Sequence, residues 1–299
     1  MAEAGAAVGV VEIGGSHVSA ALVDPVRRTV GARVDRALDP HAGRDELLGA
    51  ILATAVAAAG PRPPVRWAVA APGPFDYQRG VCTIHGVAKL DALHGVDLRG
   101  ALAGTLALPD PAATVFLNDA HAFALGEWWA GALAGTPRSV GITLGSGLGS
   151  AFLADGGIVA SGPDVPPQGY LYPLRYRDRP LEVFVSRRAL LAAAPPGTDV
   201  PELATAARGG DPAALAAFTT AGTALGAVLG PWLERFAAGA LVVGGGIAGA
   251  WDLLEPAFRR AAPQPAALRI ARSALGSDAP LLGAARRAVE PSTGGNVAT

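Results

Sequence analysis

The chain has 299 residues, enough for two domains of about 100–150 residues each. Hydrophobic residues make up 51% and charged residues 16%, which supplies ample core material and argues against disorder. A formal net charge of −1 argues against nucleic acid as a partner, because a phosphate-tracking protein needs a basic face. The single cysteine, Cys82, excludes an internal disulfide and a cysteine-ligated zinc.

In chain order, the sequence predicts a strand at Val8–Ile13, a glycine turn, a second strand at Val18–Val23 and a third at Thr29–Arg36. Asp45–Ala59 reads as a helix stopped by Gly60-Pro61. Trp67–Ala71 reads as a short buried strand ending in the turn signal Pro72-Gly73-Pro74. Val115-Phe116-Leu117 is another, with Asn118-Asp119 at its end and a helix predicted over Ala120–Ala134. A second hairpin begins at Ile142, and the Pro/Gly-rich, aromatic stretch 162–180 reads as loop. Helices are then expected at Ser186–Ala194 and Pro212–Arg235, a strand at Leu241-Val242-Val243 running into Gly244-Gly245-Gly246, and helices at Trp251–Ala262 and Leu281–Val289. A polar tail from Pro291 is expected to fray. Strands alternating with helices imply an α/β architecture with mixed sheets.

Pro212–Leu233 is uncharged and long enough to span a bilayer. Thr219, Thr220, Thr223 and many small residues dilute its hydrophobicity, so a buried helix is expected and no membrane partner. No basic flank precedes the first apolar run, so no signal peptide is expected, and the chain reads as soluble and cytoplasmic.

Two stretches 131 residues apart repeat one pattern: residues 11–24 and residues 142–155. Each is an apolar strand, a Gly/Ser turn and a second apolar run ending in aspartate, Asp24 or Asp155. Backbone N–H groups of such a turn can approach an anion closely. Finding the hairpin twice predicts two lobes of related build whose turns could grip a polyphosphate from both sides. Any one of these glycine runs is equally a plain tight turn.

Six segments in order carry a resemblance: residues 12–16 (Glu-Ile-Gly-Gly-Ser), 71–76 (Ala-Pro-Gly-Pro-Phe-Asp), 118–127 (opening Asn-Asp-Ala-His), 144–149 (Leu-Gly-Ser-Gly-Leu-Gly), 242–247 (Val-Val-Gly-Gly-Gly-Ile) and 275–285. Together they resemble the ROK family of bacterial sugar kinases over almost the whole chain. The resemblance implies a two-lobed actin-like ATPase fold with a mixed sheet in each lobe: an N-terminal lobe over 1–117, a C-terminal lobe over 118–290 whose last helix packs back on the first, and a flexible tail over 291–299. It also implies ATP and Mg²⁺, a small-molecule acceptor and a homodimer.

Phosphoryl transfer needs positioning, charge neutralisation and a base for the attacking hydroxyl. Gly14, Gly15 and Ser16, with Gly145, Ser146 and Gly147, are the expected donors to the phosphates, and Gly244, Gly245 and Gly246 the backbone beside adenine or ribose. By the resemblance, Asp119 is the catalytic base, and Asn118 and Gly73 belong to the acceptor site. The same Asn-Asp pair also satisfies an Asx helix cap.

The chain departs from the family pattern at several positions. Glu12 stands where an aspartate near the magnesium is usual; it is the expected metal residue, or else a strand residue paired with an arginine. Gln168-Gly169-Tyr170-Leu171-Tyr172 replaces a Glu-x-Gly-His segment, and the zinc-binding cysteines that usually follow are missing, so no zinc is expected. Glu182 is kept as one acceptor-contacting acid, with Tyr170 and Tyr172 as new hydroxyl contacts or simple loop packing. Lys89, the only lysine, aligns with an asparagine of the sugar site, or is a solvated surface residue. The expected function is an ATP-dependent kinase acting on a primary hydroxyl of a modified sugar or C7 cyclitol rather than plain glucose, in specialised (antibiotic) metabolism. The alternative is a non-catalytic sugar or nucleotide sensor of the same fold. A DNA-binding repressor is not expected, because the first phosphate strand begins at Val8.

Overall fold

A computed structural model describes residues 6–61, 63–86, 89–261 and 265–290. Packing divides them into two units: one runs up to Ala130 and resumes at Ser277, and the other is Gly131–Gly276.

The first unit opens with β1 (Val8–Ile13), β2 (His17–Asp24) and β3 (Thr29–Ala37), an antiparallel meander. Helix α1 (Arg44–Ala59) leads to β4 (Trp67–Ala71), the short pair β5 (Phe75–Asp76) and β6 (Val81–Cys82), and α2 (Leu98–Thr105). Then come β7 (Thr114–Asn118) and α3 (Asp119–Ala130). The sheet order is β3-β2-β1-β4-β7, with β1, β4 and β7 parallel. The inner strands β1 and β4 are almost wholly buried and, apart from Glu12 near the end of β1, apolar on both faces, as covered parallel strands must be.

The second unit repeats this plan. Strands β8 (Arg138–Leu144), β9 (Leu148–Ala154) and β10 (Gly157–Ile158) form the antiparallel part. The hairpin β11 (Arg175–Tyr176) and β12 (Arg179–Pro180) follows, then the single-turn helices α4 (Glu182–Val185) and α5 (Arg187–Leu190). Helices α6 (Val200–Arg208) and α7 (Pro212–Arg235) precede β13 (Ala240–Gly244), α8 (Trp251–Ala261) and β14 (Arg269–Arg272). Its order, β10-β9-β8-β13-β14, again sets three antiparallel strands beside two parallel ones. The sequence repeat is therefore a repeat of whole sheets.

Helix α7 is long and apolar enough to cross a bilayer, yet Ala221, Gly222, Leu225, Gly226 and Leu229 are buried and the helix packs against α8. A side chain at Gly222 or Gly226 would overlap the carbonyl of Leu254 or Phe258 on α8. These glycines set the close approach; they are not helix breaks.

The final helix, α9 (Ala279–Val289), packs on α3 of the first unit. Gly126 and Gly283 make that contact backbone to backbone, against Ala279 and Ala122. This corrects the expected boundary between 117 and 118. Because β7 belongs to the first sheet and α3 is pinned by α9, Asn118 and Asp119 lie in the first unit. The tail expected from Pro291 lies outside the described residues.

Several short elements escaped the sequence reading: β5, β6, α2, α6 and β14. Helix α6 begins with a full capping box, Asp199 and Glu202 exchanging 2.9 Å bonds, but it is hidden between a Pro/Gly stretch and Gly209-Gly210. The helix expected at Ser186–Ala194 is present as α5 continued by a 3-10 turn over Leu191–Ala193, with the extended Ser186 capping its start through Ala189 N. Residues 162–180, read as loop, contain the β11–β12 hairpin.

Candidate active site

In the first unit the site residues sit where β1, β4 and β7 end. Asn118 closes β7, and its Oδ1 accepts from the amides of Ala120 (3.0 Å) and His121 (3.2 Å), capping α3. Its Nδ2 donates to Tyr77 Oη at 3.2 Å, and Tyr77 donates to the carbonyl of Ala71 at 3.1 Å. The cap is thus real, and the amide is oriented by it. Gly73 lies beside the same tyrosine, 3.5 Å from where its Cβ would stand. Tyr77, one residue past the quoted motif, is a site residue that sequence reasoning missed; its only signal was that neighbourhood.

Asp119 starts α3 and accepts from the amide of Ala120 at 2.8 Å. The residue reaches the surface, but protein surrounds its carboxyl. Burial pushes its pKa up to about 6, and the Glu12 carboxylate adds to the shift by like-charge repulsion. A carboxyl poised there suits proton abstraction near neutral pH. Its neighbour His121 is pushed down to about 4 by burial and stays neutral.

Glu12, on β1, bonds His17 Nε2 at 3.0 Å. Its protein partner is a histidine and not the arginine considered from sequence. The imidazole lies against Gly14, where a Cβ would overlap it, while Gly14 N donates to His17 O at 2.8 Å. The bond to Glu12 raises the His17 pKa, outweighing burial. Glu12→Asp shortens the reach by one methylene and is expected to return that pKa towards its ordinary value, read from the imidazole proton resonances. An unchanged titration would show that the carboxylate does not hold the ring.

In the second unit Gly145 N bonds Gly147 O at 3.0 Å, closing the second turn as Gly14 closes the first. Among the described residues, the amides of Gly15, Ser16, Ser146 and Gly147 carry no hydrogen bond, as an anion cradle requires. Glu182 does not stand free for an acceptor: its Oε2 accepts from Leu148 N at 3.0 Å, against Gly147. Gly245 has φ +83° and folds over Leu144, and Ile247 N bonds Leu144 O at 3.0 Å, so Gly244–Gly246 wraps the end of β8. Beyond it, a cavity of about 440 Å³ is lined by Arg208, Gly249, Trp251, Asp252, Glu255, Ile270 and Arg272. Trp251 Nε1 is buried in the core and has no hydrogen-bond partner among the described residues.

Tyr170 is partly buried and pairs with Tyr172, which is 44% exposed, at 5.6 Å between rings. Lys89 is exposed.

Two mixed sheets of one topology, each with a glycine hairpin whose amides are open, define the class of sugar-kinase-like ATPase folds. Residues 8–290 match the ROK family, and the chain belongs to it. A glucokinase from Thermotoga maritima is 27% identical over 82% of this chain and 83% of its own. The ROK hexokinase from Thermus thermophilus superposes with a TM-score of 0.72 at 26% identity, covering 93% of this chain and 96% of its own. A ROK glucokinase from Streptomyces griseus, solved with glucose and AMPPNP, gives 0.76 at 24% over 94% and 98%.

Proposed function

We propose that this protein is an ATP-dependent kinase that phosphorylates a primary hydroxyl of a modified sugar or cyclitol in preference to glucose. The observation that carries the reading is Asp119: a buried carboxyl beside a capped asparagine, with a pKa of about 6, in a ROK-family chain. It would take the proton of the acceptor hydroxyl as the oxygen attacks the terminal phosphorus. Asn118, Gly73 and Tyr77 would line the acceptor, and the open amides of the first hairpin, in the same unit, would hold phosphate. The cavity past Gly246 offers room for the base.

Glu12 and Asp119 repel each other electrostatically, so a divalent cation fits this pair of hard oxygen donors. Mg²⁺ held by Glu12 would neutralise phosphate charge. Cytoplasmic location and a homodimer belong to the same reading.

The preference against glucose is supported by the acceptor side. Glu182 is engaged by Leu148, and Gln168, Tyr170, Tyr172 and Lys89 stand where the family keeps an acid, a histidine and an amide. Each buried hydroxyl left unpaired costs about 1–3 kcal/mol. Two such losses predict a kcat/KM for glucose lower by roughly two orders of magnitude than for the best acceptor. ADP release across hexoses, amino-sugars and cyclitols tests this. Glucose as the best substrate would overturn the preference, and binding without turnover would favour the sensor reading.

A further inference from the structure

The β5–β6 hairpin reaches the end of β7 through one side chain, Tyr77. Strands β4 and β7 pair in parallel as far as Ala71 opposite Asn118, where their ladder stops. Tyr77 Oη takes the place of a further rung: it donates to Ala71 O at 3.1 Å and accepts from Asn118 Nδ2 at 3.2 Å. With its one proton committed to Ala71, the phenol is not a proton donor for a reacting group.

Asn118 needs this second hold. Its Oδ1 end caps α3 at Ala120 N and His121 N, but the last torsion of an asparagine is soft, so the cap alone leaves the Nδ2 end free to swing. Tyr77 pins that end. The effect carries to the neighbouring carboxyl because Ala120 N is shared: it donates to Asn118 Oδ1 at 3.0 Å and to Asp119 Oδ1 at 2.8 Å. A swing of the Asn118 amide therefore redistributes the hydrogen bond that orients Asp119.

Tyr77 is itself fastened to β7. Its ring stacks on Phe75 at 5.2 Å between centroids, and Phe75 stacks on Phe116 at 5.6 Å. Arg99, on α2, donates to the carbonyls of Gln78 (2.9 Å) and Arg79 (3.2 Å), which follow Tyr77, and to Thr114 O (2.6 Å) at the start of β7. Its guanidinium lies 5.2 Å over the Phe116 ring. Gly80 turns the chain there at φ +75°, where a Cβ would overlap Arg99 and Phe116. One guanidinium thus clamps the turn that carries Tyr77 to the strand that carries Asn118.

We propose that Tyr77 is a positioning residue for phosphoryl transfer: it acts through Asn118, fixing that amide against the acceptor and, by way of Ala120 N, the Asp119 carboxyl. The inference rests on the kinase reading and adds to it a residue outside the six motif segments.

The test uses the full chain, which contains two asparagines, Asn118 and Asn296. Selective nitrogen-15 labelling of asparagine then gives two side-chain amide pairs, assigned with the variant Asn296→Ser. Tyr77→Phe keeps the ring stack and removes the hydroxyl alone. It is expected to move the Asn118 Nδ2 signals and speed their exchange with water, leaving those of Asn296 in place. Kinetics with ATP use glucose, glucosamine and myo-inositol as acceptors. In Tyr77→Phe the kcat/KM of the best of them should fall about tenfold or more, while the KM for ATP stays within about twofold of wild type. Unmoved Asn118 signals overturn the role, and so do moved signals with an unchanged kcat/KM. An ATP KM that rises in step with the sugar's would mark general damage to the fold and overturns it too. No ADP release by the wild type with any of the three acceptors would count against the kinase reading, and the Asn118 signals would then decide the Tyr77 contact alone.

Discussion

Asp119→Asn is expected to lower phosphoryl transfer by about 10²–10⁴-fold while raising thermal stability at pH 8. The first effect is the loss of a positioned base. The second follows from burial. In the fold the carboxyl's pKa is raised from 3.8 to about 6, so the protonated form is favoured. Its stabilising contribution is full below 3.8 and is lost as pH rises through 6, so at pH 8 the ionised group works against folding. A neutral amide removes that cost, which is about 1–2 kcal/mol after allowing for partial exposure. The melting midpoint should rise by a few degrees at pH 8 and show no gain at pH 4. Transfer above a tenth of the wild-type rate would remove Asp119 from the base role. A gain of equal size at both pH values would show that ionisation is not the cause.

Most of the architecture was legible in the sequence, because long apolar runs and glycine turns dictate it. The repeat of residues 11–24 at 142–155 anticipated two sheets of one topology, and Val8–Ile13 and Trp67–Ala71 were read at their observed bounds. What escaped was set by tertiary contact. The unit boundary depends on Gly126 meeting α9, about 150 residues downstream, and no local signal in 118–130 reports it. The partner of Glu12 lies across the hairpin, and only the register that sets Glu12 opposite Ser19 brings His17 within reach. Glu182 was expected to contact the acceptor because it matches the glutamate of the family motif; its bond to Leu148 N, which spans 34 residues, had no signal in the sequence. Tyr77 is likewise invisible as a site residue until Asn118 Nδ2 is seen to point at it.

Gly283→Ala is expected to be among the most destabilising single-methyl additions in the first unit. A Cβ at Gly283 would overlap the carbonyl of Ala122 and stand 2.6 Å from the amide nitrogen of Gly126. Both are backbone atoms of α3, so no side-chain rotation relieves the clash, and the two helices must separate. Separation would loosen α9 from α3 and from β1 and β4, against which it also packs. Overpacking of this kind costs about 1–3 kcal/mol where side chains can yield and more where backbone must move. A loss of about 3 kcal/mol or more is expected, or roughly 6–12 °C in midpoint. Gly104→Ala is the control. It lies in helix α2 with nothing within 4 Å of its added methyl, so it should gain about 0.5–1 kcal/mol from helix propensity alone. Thermal and urea unfolding of the two variants decide the matter. If Gly283→Ala melted within two degrees of wild type, α3 and α9 would have to be held apart by something other than these glycines. If Gly104→Ala were equally harmful, the loss would belong to helical glycines in general and not to this contact.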